Sequence, residues 1–456
     1  MKLSKQDYLV KILQAPIYEA AIASDLDFMP KLSALLGNQI YLKREDQQPV
    51  KSFKLRGAYN CIAQLSAEQK QKGVVAASAG NHAQGVAYAA NSLGISATIV
   101  MPETTPEIKV EAVRHFGQSH VNVVQHGTSF DQASARAKEI CDSTGMTMVP
   151  PFDHPDVIAG QGTIAKEIFA QVQDLQYLFV AVGGGGLAAG IAVYAKQINP
   201  NLRIVAVESD ESACLQAALA AGKPVTLPSV GIFADGVAVK TIGEEPFRLC
   251  QEYVDELITV SNDEICTAIK DIFDDTRVIA EPAGALSVAA MRKFCASNDV
   301  KSSKMAGILC GANINFHTLR YVSERCELGE QKEAVFAVKL KEQQGAFKDF
   351  CAALGGLNIS EFNYRYASNS QAHVFVGVKL KRGRVEFLAT IFSFAFPEYP
   401  GALMHFLNTL GEQFNITLFH YRNHGAAKGL VLVGFDIADN DREKFDQHLQ
   451  TLNYRA

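Results

Sequence analysis

A chain of 456 residues is long enough for two or three domains and one large core. Hydrophobic residues make up 48% and charged residues 20%, an ordinary globular balance, and the net charge of −5 argues against nucleic acid and anionic membrane as main partners. The nine cysteines are scattered without a C-x-x-C pair, so no metal site and no disulfide framework is expected, and a reducing cytoplasm fits best.

The opening stretch, Met1-Lys2-Leu3-Ser4-Lys5-Gln6-Asp7, has no apolar core of signal-peptide length. Residues 8–45 predict a helical lead-in and a strand over Gln39 to Lys43. Lys43-Arg44-Glu45-Asp46 reads as a charged turn, a solvated corner as the bland reading, which does not exclude a structural role. Ser52-Phe53-Lys54-Leu55-Arg56-Gly57 opens a helix, because Leu55, Ala58, Tyr59 and Ile62 recur at helical spacing. Val74 to Ala77 is a short apolar strand that runs into Ser78-Ala79-Gly80-Asn81-His82 and a small-residue helix; Ala97 to Met101 is the next strand. Strand, glycine turn, helix and strand form a βαβ unit, which implies a parallel sheet. The alternation continues to Val149 and makes residues of about 50–150 a smaller subdomain.

Ile158-Ala159-Gly160-Gln161-Gly162-Thr163 opens the second part. Leu175 to Ala195 is uncharged and long enough to suggest a membrane span, but Gly183-Gly184-Gly185-Gly186 interrupts it. The stretch therefore reads as a buried strand, a turn and a helix. Arg203 to Glu208 and Gly307 to Leu309 are further strands, and 212–221, 261–273 and 282–296 are helices, so residues 1–325 read as α/β with parallel sheets. The polar residues 326–332 read as a linker. Beyond it the chain repeats: Phe362-Asn363-Tyr364-Arg365 matches Phe419-His420-Tyr421-Arg422, and Val376-Gly377-Val378 matches Val433-Gly434-Phe435, both 57 residues apart. Each copy predicts a strand, a helix (Gly345 to Leu354; Gly401 to Leu410) and two strands. Only the second, 389–456, adds a closing helix over Asp441 to Leu452, so the first, 333–388, is a shortened α+β unit.

Lys54 is the candidate amine nucleophile. A lone lysine is most often a solvated side chain. To act, it must shed its proton near neutral pH, and apolar Phe53 and Leu55 together with the cation of Arg56 would favour that. Gly183 to Gly186, between strand and helix, suits a phosphate held by backbone N–H groups; the bland reading is a tight turn with close packing. A nucleotide P-loop is excluded, since no Gly-Lys-Ser/Thr follows. A dinucleotide fingerprint through Gly183, Gly185 and Ala188, with Glu208 at the ribose, is a rival. It leaves Lys54 and the Asn81 loop without a task, whereas a pyridoxal phosphate cup uses all three. Ser78, Ala79, Gly80, Asn81 and His82 form a second strand-to-helix loop. Its N–H groups suit a substrate carboxylate, and Asn81 could reach a ring hydroxyl; the bland reading is a serine N-cap. Cys310 ends a strand, where ligands of parallel sheets bind, and a thiol there is a weak, neutral partner for a pyridine nitrogen; the bland reading is a buried inert cysteine. Glu281 fits either a helix start or a site residue, and the His82 and His154 side chains read as structural.

Ser52 to Gly57, Ser78 to His82, Gly183 to Leu187 and Cys310 to Asn313, in that order, resemble the fold-type II pyridoxal phosphate enzymes, most closely the biosynthetic threonine dehydratases, over nearly the whole chain. The resemblance implies a fold-type II α/β catalytic domain and a C-terminal α+β ACT-like regulatory domain. It makes Lys54 the Schiff-base lysine and catalytic residue. It places Phe53, Asn81, Gly183, Gly184, Gly185, Gly186, Leu187 and Cys310 around the cofactor, pyridoxal 5′-phosphate. The implied reaction converts L-threonine to 2-oxobutanoate and ammonia, and L-serine to pyruvate, as the first step of isoleucine biosynthesis. A homotetramer is implied, with feedback by isoleucine that valine opposes. Ala79 stands where serine racemases of this fold carry a second serine, which argues against racemisation. Ser212 and Cys214 follow Glu208 where those racemases hold a metal. Two rivals remain: a serine-preferring dehydratase without feedback, and a non-catalytic amino-acid sensor.

Overall fold

The computed structural model describes residues 2–329, 333–341, 346–354, 358–368, 371–379, 393–397, 415–422 and 428–436. The chain divides into two units, Met1–Ile314 and Asn315–Ala456. In the first unit the strands are β1 (Leu26–Phe28), β2 (Gln39–Arg44), β3 (Val74–Ala77), β4 (Ala97–Met101), β5 (Val121–Gln125), β6 (Thr147–Met148), β7 (Tyr177–Ala181), β8 (Arg203–Ser209), β9 (Glu256–Val260) and β10 (Lys304–Leu309). They form a six-stranded sheet in the order β1-β2-β10-β7-β8-β9 and a four-stranded sheet in the order β5-β4-β3-β6. The smaller sheet lies within residues 74–148 and is parallel throughout. In the larger one only the edge strand β1 runs antiparallel. Strands β7, β8 and β10 are apolar along most of their length and largely buried, as a sheet covered on both faces requires. The edge strands β1 and β9 are mostly half-buried.

Helices cross closely where glycines remove side chains. At Gly160, in the helix Pro155–Gln171, a Cβ would stand 2.7 Å from the Gly57 Cα of the helix Lys54–Ala63. This crossing seats the Lys54 helix on the large sheet's helical layer. The expected solvated corner at Lys43 to Asp46 is a correction: all four residues are buried, Lys43 and Glu45 completely. Lys43 is met by Glu167 and Glu45 by Arg56, both from other parts of the chain, while Arg44 pairs with Asp46 within the corner and with Asp27. The strand and helix expected on either side of the tetraglycine run are β7 and Gly186–Ile198. Among the described residues no helix is long and apolar enough to cross a membrane.

The second unit opens with the helix Thr318–Gly329, which takes in residues 326–329 of the expected linker. The division of the chain also falls earlier than residue 325. Polarity pointed to a linker, but Tyr321, Val322 and Cys326 bury one helical face, and Glu and Arg are good helix formers. The strands β11 (Glu333–Lys341), β12 (Asn358–Ser368) and β13 (Gln371–Lys379) form one antiparallel sheet, ordered β11-β13-β12. β14 (Ser393–Pro397), β15 (Asn415–Arg422) and β16 (Lys428–Asp436) form another, ordered β14-β16-β15. The 57-residue repeat appears in their register: Tyr364 faces Val374 and Tyr421 faces Val431, and the pairing shifts at Ile359/Glu361 and again at Ile416/Leu418. The helix Ala346–Ala353 sets Phe350, with Leu354 beyond it, against Val374 and Val376. The helices expected at 401–410 and 441–452 lie outside the described residues.

Candidate active site

Lys54 is the first residue of its helix, and the chain before it is tied down. Phe53 N–H donates to the Cys310 carbonyl at 3.1 Å, and Ser52 pairs with Gly311 in an isolated antiparallel bridge. The Lys54 Nζ donates to the Pro151 carbonyl at 3.1 Å and lies 5.4 Å from the centroid of the Phe53 ring. Burial brings its pKa down to about 8, against the opposing pull of Cys310 and Glu281. The second cation expected from Arg56 is not available for this: its guanidinium bonds Glu45 and Glu167. Desolvation, not charge repulsion, lowers the Lys54 pKa.

The Lys54 amine opens on a small cavity. Phe53, Asn81, Gly183, Gly184, Gly185, Gly186, Leu187 and Cys310 line it, so the residues assigned to the cofactor from sequence surround one space. The tetraglycine loop has the close packing that the bland reading expected. A Cβ on Gly184 would stand 2.1 Å from the Phe152 ring and one on Gly183 2.9 Å from the Val237 backbone, while Gly185 has φ +87°. The carbonyls of Gly183 and Gly184 accept from the Cys214 thiol and the Gly243 N–H. At the other end of the loop the helix Gly186–Ile198 begins, and the N–H groups of a first helical turn lack intrahelical partners. A side chain at Gly183 or Gly184 would collide with Val237 or Phe152.

Asn81 begins the helix Asn81–Leu93 after β3. Its Nδ2 donates to Glu281 Oε1 and its Oδ1 accepts from Asn313 Nδ2, both at 2.7 Å. Ser78, Ala79 and Gly80 lie on the loop just before it, half-buried and outside the cavity lining, with Gly80 N–H donating to Ser78 Oγ at 3.3 Å. His82 is buried and also outside the lining; its Nε2 is 2.9 Å from the Val149 carbonyl, and burial depresses its pKa to about 3. That ring is a neutral structural group. Burial pushes the Cys310 thiol well above the ordinary thiol range, so it stays protonated, with Ile308 O as acceptor at 3.7 Å.

Glu208 does not serve a ribose. Its carboxylate accepts the N–H groups of Leu215 and Gln216 at 2.7 and 2.9 Å, at the start of the helix Cys214–Ala221. Phe152, Pro151 and Val237 were missed from sequence. The one available signal was the position of Pro151 and Phe152 just beyond the carboxyl end of β6.

A lysine at a helix start, a glycine loop after β7 and a protonated thiol after β10 surround one cavity, and residues 23–311 match the pyridoxal-phosphate-dependent enzymes. Residues 324–390 and 382–456 each match the C-terminal regulatory domain of threonine dehydratase. The biosynthetic L-threonine dehydratase of Escherichia coli strain K12 is 52% identical over 98% of this chain and 94% of its own length. The chloroplastic biosynthetic threonine dehydratase of Arabidopsis thaliana is 45% identical over 98% of this chain and 82% of its own length. Among solved structures, the processed form of threonine deaminase isoform 2 from Solanum lycopersicum has a TM-score of 0.69 at 48% identity, over 71% of this chain and 93% of that one. Maize serine racemase has a TM-score of 0.65 at 34% identity, over 71% and 98%. The chain belongs to the biosynthetic threonine dehydratases.

Proposed function

We propose that Lys54 carries pyridoxal phosphate in this cavity and that the protein deaminates L-threonine to 2-oxobutanoate and ammonia, and L-serine to pyruvate. The observation that carries this is a half-buried lysine whose amine, with a pKa lowered to about 8 by desolvation, opens on a cavity lined by a glycine loop. When bound, the cofactor supplies an electron-accepting ring conjugated to the substrate's α-carbon. Gly183 to Gly186 and the helix start behind them would hold its phosphate. Asn81 would meet the ring hydroxyl, and the protonated Cys310 thiol would face the ring nitrogen without protonating it fully. The N–H groups of Ser78 to His82 would hold the substrate carboxylate. Lys54 takes the α-proton, which its lowered pKa allows near neutral pH. The methyl group of Ala79 has no proton to deliver from the opposite face, so loss of the β-hydroxyl is favoured over racemisation. Ammonia release from threonine by the cofactor-loaded protein tests the reading; a protein that stays colourless with pyridoxal phosphate would overturn it.

We also place feedback by isoleucine, opposed by valine, in residues 333–456 of a cytoplasmic homotetramer. The two regulatory-domain matches support an effector site. Their overlap over 382–390 supports a shortened first unit. Threonine deamination should fall with isoleucine in the full chain and not in a chain ending at Gln331. Equal inhibition of both would remove the regulatory role from the C-terminal region.

A further inference from the structure

Glu281 lies just before the helix Pro282–Asn298, where an acid is expected to cap the first turn, yet its side chain makes no capping bond. It turns instead into the cavity that holds Lys54. Oε1 accepts from Asn81 Nδ2 at 2.7 Å and Oε2 accepts from the Asn313 backbone N–H at 3.0 Å. Its own N–H donates to the Gly311 carbonyl at 3.1 Å. One carboxylate thus joins the start of the Asn81 helix to the turn that follows Cys310.

From this geometry we infer that Glu281 is a positioning residue that aims the Asn81 amide at the ring hydroxyl of the bound cofactor. The inference rests on the proposed cofactor site. An ionised carboxylate only accepts, so the amide nitrogen of Asn81 must face Glu281 and the amide oxygen must face away. The oxygen is held in turn by Asn313 Nδ2, itself anchored to the Val50 carbonyl at 2.9 Å. Clamped at both ends, the amide cannot flip, and one of its two N–H groups remains for a ligand in the cavity. A carboxylate kept only for helix capping would not be buried at this depth. Burial raises its pKa to about 7, and Asp235 adds to that. The bonds from Asn81 and Asn313 oppose the shift, as does Lys109, which is paired with Asp235; Cys310 and Lys54 are the other titratable groups facing the same cavity.

Glu281→Gln in the cofactor-loaded full chain tests this. The glutamine oxygen can serve Asn81 or the Asn313 N–H but not both, because its NH₂ end meets a second donor. The visible band from the Lys54-bound cofactor should persist but move and titrate differently with pH. Turnover should fall about ten-fold or more, with KM changed by less than about three-fold, as loss of one buried charge-assisted hydrogen bond implies. In an Asn81→Ala background the same substitution should add nothing to either readout. Multiplying effects, or a Glu281→Gln band and turnover equal to wild type, would overturn the inference. If Glu281→Gln does not fold, Asn313→Ala removes the other clamp while leaving the carboxylate in place, and it too should move the band; an unmoved band refutes the clamp. A wild-type protein with no visible band is a different failure, since it removes the cofactor reading itself and this inference with it.

Discussion

Lys54 and Arg56 stand two residues apart at the start of one helix, the first half-buried and the second completely buried, in opposite surroundings. Arg56 has every donor engaged. It bonds both oxygens of Glu45 at 2.7 Å, both oxygens of Glu167, and also Thr163 Oγ1 and the Ile22 carbonyl. Burial works against its charge, but Glu45 and Glu167 more than offset this and raise its pKa. Lys43 joins the cluster through Glu167 at 2.7 Å, so two cations answer two carboxylates. Lys54 has one neutral partner, the Pro151 carbonyl, and its pKa falls. Desolvation disfavours both charges, yet one cation is locked in its charged form and the other loses its hold on the proton. The difference is whether carboxylates were brought to it. A reactive amine is made here by withholding partners, and the helix that carries it is anchored by the fully partnered arginine beside it.

Removing each cation sharpens that contrast. Lys54→Ala should lower threonine turnover by about a thousand-fold or more and abolish the visible band of the bound cofactor, both read on the purified protein. Arg56→Met should leave Glu45 and Glu167 facing each other without their main partner. A loss of about 3–5 kcal/mol in denaturant unfolding is expected, and a loss below about 1 kcal/mol would show that the cluster does not anchor the helix.

Lys54→Met should do the reverse in the cofactor-free protein. Below pH 8 the amine is charged in folded and unfolded chains alike, and folding must bury that charge. Between about 8 and the ordinary lysine value of 10.5 the folded chain has shed the proton and the unfolded chain has not, so the wild type gains stability as pH rises. Above that range both are neutral and the penalty is gone. The methionine variant should therefore be more stable than wild type by about 3 kcal/mol at pH 7, with the advantage closing above pH 8. An advantage that does not change with pH would mean that packing, not charge, sets it. Lys43→Met should have the smallest effect, about 1–2 kcal/mol in the same unfolding experiment, because Arg56 still answers Glu167.

The stretches that carry chemistry were legible in the sequence because each is local. A glycine run between an apolar strand and an apolar helix has few other solutions, and Lys54, Asn81, Gly183 to Leu187 and Cys310 all line one cavity. The internal repeat was legible for the same reason, and its 57-residue offset returns in the register of β12 with β13 and of β15 with β16. Partnership was not legible. Lys43 to Asp46 looked like a solvated corner because its partner Glu167 lies more than a hundred residues away. Arg56 looked like a charge available to Lys54, and Phe152 gave no sign of filling the space that Gly184 leaves open.

Glu281 could be a helix start or a site residue until Asn81 and Asn313 were seen on either side of it, 200 and 32 residues distant. By itself the sequence determined which residue types stand at which strand ends, since strand, turn and helix follow from neighbouring side chains. Only the tertiary structure decided which buried charges are paired. Electrostatic energy depends on separation in space and on exclusion of water, and neither is written in the order of residues along the chain.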